Sequence, residues 1–125
     1  MNSQDKTGAT QNFHENLKGL MDDYVKKVYV YTKSFPKEEV FGITSQLKRA
    51  SLSVALNYIE GYARQQKGHF KNFLEISYGS LQESKYLIKL AHELGFSPPE
   101  KHLELSKTAD KIGAILWGIL SKVKN

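Results

Sequence analysis

The sequence predicts an all-α protein, folded as an antiparallel up-down four-helix bundle. Apolar residues recur at steps of three and four in four separate segments, and no segment shows the alternation of a β-strand. The chain has 125 residues, of which 40% are hydrophobic, and this is enough for one domain. Four amphipathic helices joined by short loops cannot bury their apolar faces singly. A bundle in which they pack against one another is therefore the expected architecture.

The first predicted helix has one apolar face and ends at Pro36, which interrupts helical hydrogen bonding. Residues 36–39 then favour a single helical turn, with proline at its first position and two glutamates near its positive end. The apolar face of the first helix consists of Leu17, Leu20, Met21, Tyr24, Val28, Tyr31 and Phe35.

The second predicted helix covers residues 43–66 and carries two apolar stripes, so we expect it to touch neighbours on two sides. The first stripe consists of Ile43, Leu47, Ala50, Val54, Asn57, Tyr58 and Gly61, and the second of Leu52, Leu56, Ile59 and Ala63.

The third predicted helix begins near Phe70 and ends at Gly95, a residue typical of helix C-terminal caps, and the fourth begins near Pro99. Glycines inside these helices cost up to ~1 kcal/mol relative to alanine, which favours a packing role. These glycines are Gly79, Gly113 and Gly118. The inward faces are predicted to comprise Phe70, Phe73, Leu74, Ser77, Leu81, Ser84, Ile88 and Ala91 in the third helix, and Leu103, Leu105, Ala109, Ile112, Leu116, Ile119, Leu120 and Val123 in the fourth.

The predicted domain organisation is a disordered N-terminal tail over residues 1–12 and a bundle over residues 13–125. The tail is polar and has no apolar periodicity or secretory signal. The longest apolar run, residues 112–120, is far shorter than the ~20 residues that cross a membrane. We therefore expect a cytoplasmic protein with no membrane partner.

The sequence gives no support to an enzyme, a metal site or a cofactor. There is no cysteine, which excludes thiolate ligands and a cysteine nucleophile. No Glu-x-x-His pair or Gly-rich phosphate loop occurs, and the serines have no visible base. The four histidines are expected on the surface or at helix ends. No catalytic residue is predicted.

Three polar residues interrupt the apolar stripes and suggest a buried polar network: Asn57, Glu60 and Glu83. Burying such groups without partners costs a few kcal/mol, so they should bond across helices. The structural interpretation is a network that fixes helix register. The functional alternative is a polar pocket that recognises a ligand or a peptide.

The net charge of +5 is concentrated in the second and fourth helices. If these helices share a side of the bundle, their basic residues form a stripe able to neutralise phosphates. The alternative without a functional role is that these basic residues form an ordinary charged face exposed to solvent. The predicted nucleic-acid-binding residues are Lys48, Arg49, Arg64, Lys67, Lys71, Lys111 and Lys122.

The second helix carries a family resemblance. Residues 41–50, FGITSQLKRA, and 53–64, SVALNYIEGYAR, resemble the signature of the bacterial four helix bundle protein family, also known as ribosomal RNA intervening-sequence proteins. The third helix fits with Phe73, Leu74 and residues 79–83, GSLQE, and the fourth with residues 112–120. The family commonly has a proline where this chain has Ala55, so any kink there should be relaxed.

The resemblance implies a small up-down bundle, often a ring of five subunits, without established enzymatic activity. The chain is also similar to the accessory proteins of diversity-generating retroelements, which are basic pentamers that bind nucleic acid and a reverse transcriptase. The leading hypothesis is thus a non-enzymatic homo-oligomer, favoured to be a pentamer, whose basic surface binds RNA or DNA, with a protein partner as a further possible ligand. The competing hypothesis is a protein-interaction or assembly module without a direct nucleic-acid role, in which Tyr62, Phe73 or Trp117 make subunit contacts.

Overall fold

The computed structural model describes residues 3–65 and 68–123, with side chains from residue 11 onward, and this part of the chain contains helices and no strand. Two short 3-10 turns separate the first two helices, and the second of them is the turn predicted after Pro36. The all-α prediction is confirmed. The helices are α1 (Ser3–Tyr31), α2 (Ile43–Ala63), α3 (Phe70–Glu93) and α4 (Pro99–Leu120).

The four helices form an up-down bundle in which each helix packs mainly against two of the other three. Helix α1 contacts α2 and α4, while α3 contacts α2 and α4. Helices α2 and α4 therefore lie across one diagonal of the bundle, and α1 and α3 across the other. Helix α2 is continuous through Ala55, as expected without a proline there.

The core is built from most of the predicted apolar faces, but Leu103, predicted to point inward, is 57% exposed. Tyr24 lies at its centre and is fully buried, with its hydroxyl 2.7 Å from the hydroxyl of Ser84. Burial raises the pKa of Tyr24 to about 12, because the phenolate would lose its hydration. Other core residues include Leu17, Met21, Val28, Leu47, Val54, Tyr58, Leu74, Leu81, Ile88, Leu105, Ile112 and Leu116.

The start of α1 differs from the predicted tail. The helix begins at Ser3 and so runs through most of the segment predicted as a tail, and residues 1 and 2 lie outside the described part. Once packing has nucleated a helix, each further residue adds at little cost, so polar residues can extend it. His14 is also buried instead of exposed: its ring stacks on Tyr62 at 3.5 Å, and its Nδ1 lies 3.0 Å from the Tyr58 hydroxyl.

The C-terminus of α3 is capped as the sequence predicts. Gly95 has a φ of +78°, a left-handed conformation that favours glycine. Its amide donates to the carbonyl of His92 at 3.0 Å, and the amide of Phe96 donates to the carbonyl of Ala91 at 2.9 Å. These two hydrogen bonds satisfy carbonyls that the helix end leaves free.

Helices α2 and α3 approach each other closely at Gly61. A Cβ atom at Gly61 would lie only 2.7 Å from the Cβ of Phe73. Further along the interface, the Ser77 hydroxyl donates to the carbonyl of Val54 at 2.7 Å. The predicted packing role fails for Gly79 and Gly118, which have open space around them, while Leu81 lies 3.3 Å from a Cβ at Gly113. The missing side chain therefore matters most at Gly61.

Two histidines stack where α3 leads into α4. The rings of His92 and His102 lie 4.2 Å apart and nearly parallel, and neither buried Nδ1 has a hydrogen-bond partner among the described residues. Burial and the neighbouring His92 lower the pKa of His102 from its usual range. Protonation would place positive charge against a stacked ring that offers no acceptor.

Replacing Gly61 with alanine should destabilise the protein even though alanine is the better helix former. The clash with Phe73 forces the helices apart, and we expect a net loss of about 1–2 kcal/mol. The matched change Gly79→Ala meets open space and should stabilise the protein by up to ~1 kcal/mol. Urea unfolding of both variants measures the difference, and equal effects would contradict the close approach.

Acidification should weaken the fold through the stacked histidines. Because the pKa of His102 is lowered in the folded state, the unfolded chain binds more protons below neutrality, so stability falls between about pH 7 and 5. We expect His102→Gln to flatten this loss in thermal unfolding curves. The control His69→Gln alters an exposed residue and should leave the pH dependence intact.

Candidate functional site

The predicted basic residues do not form one stripe, because α2 and α4 lie across the diagonal of the bundle. Lys48 and Arg49 lie in the first half of α2, away from the others. Lys48 is half-buried, with its ammonium 4.8 Å from the centre of the Tyr29 ring, whereas Arg49 is exposed. These two residues therefore belong to a separate surface.

The remaining described basic residues lie on α4 and at one end of the bundle. The up-down topology brings together the start of α1, the end of α2, the start of α3 and the end of α4. Contacts of His14 with Tyr62 and of Tyr78 with Trp117 show this alignment. The bundle end that these four helix ends form is called the basic end below. Its described cations include Arg64, Lys71 and Lys122, while Lys111 lies further along α4.

Two chain segments that meet at the basic end contain no acid. They are residues 61–74 and 111–125, and each contributes three positive charges. Lys67 and Lys124 lie in these segments but outside the described residues. The bases of both segments are Arg64, Lys67, Lys71, Lys111, Lys122 and Lys124.

Arg64 is partly neutralised by a neighbour on its own helix. Its Nε lies 2.6 Å from Oε1 of Glu60, and its guanidinium lies 5.9 Å from the centre of the Phe73 ring. Both charged side chains are about half exposed, so solvent screens the pair. Among the described residues, Lys71, Lys111 and Lys122 form no such ion pair, and these three are the stronger candidates for phosphate contacts.

A second surface, which we call the α2 groove, runs along the outer side of α2. It encloses about 580 Å³ between α2, the end of α1 and the turn that precedes α2. Phe41 is 93% exposed and Leu56 is 60% exposed, although both are apolar. The groove is lined by Tyr29, Val40, Phe41, Thr44, Ser45, Lys48, Arg49, Leu52, Ser53, Leu56 and Asn57, none of which is acidic.

Within the described residues, no group of three or more histidine, aspartate or glutamate side chains could hold a metal ion. None of the described helices is long and apolar enough to cross a membrane.

A family model described as 23S rRNA-intervening sequence protein matches residues 19–118. The chain belongs to this family. The solved structure of a protein of unknown function from the S23 ribosomal protein family of Bacteroides thetaiotaomicron is 18% identical to it, with a TM-score of 0.75. That likeness covers 85% of this chain and 99% of the other, and it shows a shared fold. No curated protein matches the sequence.

In this family member, the predicted polar network forms only around Asn57. Its amide donates to the carbonyl and the hydroxyl of Ser53, both at 2.9 Å, and the Ser53 hydroxyl lies 2.7 Å from that of Ser80. Glu60 is half-exposed and Glu83 is exposed, so neither is buried as predicted. The rotation of α3 about its axis turns its serine and leucine face inward and leaves Glu83 outside.

Sequence reasoning missed the part of the α2 groove that lies outside α2. Val40 and Phe41 belong to a turn, where helical periodicity gives no signal. The second apolar stripe of α2 predicts a neighbour on a second side of the helix, and Leu52 and Leu56 in that stripe line the groove. Of the three aromatic residues considered for subunit contacts, only Trp117 is well exposed, at 60%.

Proposed function

We propose that the protein is a non-enzymatic, homo-oligomeric helical bundle that binds RNA or DNA through phosphate contacts at its basic end. The observation that carries this proposal is the gathering of Arg64, Lys71 and Lys122 at one end of the bundle, in chain segments that contain no acid. Phosphate contacts of this kind position a nucleic acid without reading its sequence. The family description mentions 23S rRNA, which makes RNA the first ligand to test.

Oligomerisation would strengthen this field. In the ring of five subunits that the family resemblance implies, five chains of +5 carry +25. Several modest basic ends then act together on one polyanion, and each released counterion adds to the affinity. Lys48 and Arg49 are set apart from this surface by their place in the α2 groove.

Reversing three charges near the basic end should weaken RNA binding. We expect Lys71→Glu, Lys111→Glu and Lys122→Glu, combined, to lower affinity and to reduce the slope of log K against log salt by roughly two to three. Filter binding of a single-stranded RNA at several salt concentrations measures both quantities.

The matched control reverses three exposed lysines at the opposite end: Lys33, Lys37 and Lys101. It makes the same change in net charge and should retain most of the affinity. Equal losses in the two triple variants would show that only net charge matters. Wild-type affinity that does not change with salt, or no binding at low salt, would refute the nucleic-acid proposal.

A second candidate function is assembly without a direct nucleic-acid role. The exposed indole of Trp117 favours it, since tryptophan is enriched among the residues that carry the binding energy of protein interfaces. Trp117 borders a shallow groove between α3 and α4 that also contains Gly113 and Ala114. These small residues leave room for a side chain of a second copy.

Removing the Trp117 side chain should reduce the size of the particle. We expect Trp117→Ser to shift the mass measured by light scattering from that of an oligomer, five subunits by family resemblance, towards that of the monomer. Leu103→Ser also removes an exposed apolar side chain, at the other end of α4, and should leave the mass unchanged. A wild-type monomer, or an unchanged mass for Trp117→Ser, would contradict this subunit contact.

A further inference from the structure

The apolar side chains that line the α2 groove, called its apolar floor below, lie beside positive charge. Neither proposed function uses this surface. Its apolar side chains stay exposed after the four helices have packed, although they lie close enough to line one concave surface. A monomer rarely leaves such a surface uncovered without a binding role. The exposed apolar side chains also follow the axis of α2, because Leu52 and Leu56 lie one helical turn apart.

The charges that line the groove favour a ligand with negative charge. Lys48 and Arg49 line it, no acid does, and neither cation forms an ion pair among the described residues. The ring of Tyr29 lies beside the Lys48 ammonium at 4.8 Å, which holds this charge next to the apolar floor. A ligand that covers the floor therefore meets two cations that lack a carboxylate partner.

We infer that the α2 groove is a docking site for an amphipathic helix of a partner protein, whose apolar stripe is flanked by acidic residues. The stretch of α2 from Thr44 to Asn57 spans about 20 Å, which is the length of a helix of some 13 to 14 residues. Such a helix would lie beside α2 and insert anchors spaced by three and four residues between Phe41 and Leu56.

A second copy of this chain fits the groove less well. Among the described helices, only α2 has exposed large apolar residues at adjacent helical positions, namely Leu52, Leu56 and Ile59, because the exposed Leu103 and Trp117 of α4 lie 14 residues apart. A two-fold contact that pairs two α2 faces would oppose the cations of one groove to those of the other, which is unfavourable, and a ring would instead need a different surface to fill the groove. The acidic helix α3 offers Ile76 and Tyr86, which are too far apart to fill adjacent positions of the groove.

Nucleic acid also matches the groove less well than a helix does. Lys48 and Arg49 are adjacent on α2 and can make only a few phosphate contacts. The apolar side chains of the groove would gain nothing from contact with the charged backbone of a nucleic acid. The inference is thus independent of the basic end, and a variant that loses RNA binding should still dock the helix.

Selection from a displayed peptide library tests the inference. The library consists of peptides of about 18 residues with leucine fixed at positions i, i+4, i+7 and i+11 and all other positions randomised. We expect the full-length protein to enrich sequences with aspartate and glutamate beside the leucine stripe. The best peptide is then synthesised, and its Kd is measured by fluorescence anisotropy.

Two substitutions in the groove and two outside it sharpen the test. Leu56→Ser should weaken the peptide by at least about tenfold, and Arg49→Glu by a similar factor that shrinks at high salt. Leu103→Ser and Lys101→Glu make the same chemical changes at exposed sites of α4 and should leave the Kd within about twofold. Circular dichroism spectra of all four variants show whether each of them is folded.

Several outcomes would overturn the inference. These are a failure to select any peptide, enrichment of basic or neutral flanks, or equal losses in the groove and control variants. A fall in oligomer mass for Leu56→Ser would assign the groove to a second copy, and a selective loss of RNA binding for Arg49→Glu and Leu56→Ser would assign it to nucleic acid. Docking that persists in the Lys71/Lys111/Lys122 variant separates this inference from the proposed function.

Discussion

The close packing of α2 on α3 is the constraint on which the rest of the structure depends. Gly61 lets the backbone of α2 approach the Cβ of Phe73, and the Ser77 hydroxyl bonds to a backbone carbonyl of α2 instead of to another side chain. This contact fixes the rotation of α2 about its axis. One apolar stripe then enters the core, and the stripe that contains Leu52 and Leu56 is left outside the bundle.

The same constraint separates the two candidate surfaces. Because α2 and α4 occupy opposite corners, their basic residues cannot line one side, and the two helices share only the end of the bundle at which both of them stop. Electrostatic attraction acts over about 10 Å at 0.1 M salt, so lysines on different helix ends can still act on one polyanion. Lys48 and Arg49 instead flank an apolar floor, where charge selects a partner and apolar contact supplies affinity.

The polar residues show where periodicity stops being informative. Asn57 and Glu83 both interrupt apolar stripes in the sequence, and the patterns look alike. In the structure, Asn57 completes a hydrogen-bonded group with Ser53 and Ser80 between two helices, whereas Glu83 is exposed. A helical stripe says which residues share a face, but it does not say how far that face is turned towards the core, and a rotation of some tens of degrees decides burial.

The sequence by itself determined the four helices, the cap of α3 at Gly95 and most of the core, because these follow from local hydrogen bonding and from apolar spacing along each helix. Family membership follows from the pattern of the chain as well. Only the tertiary structure decided that α2 and α4 lie on a diagonal, that His14 is buried against Tyr58 and Tyr62, and that a turn residue, Phe41, lines the α2 groove. Each of these depends on contacts between residues distant in sequence, and no periodicity within a single helix records them.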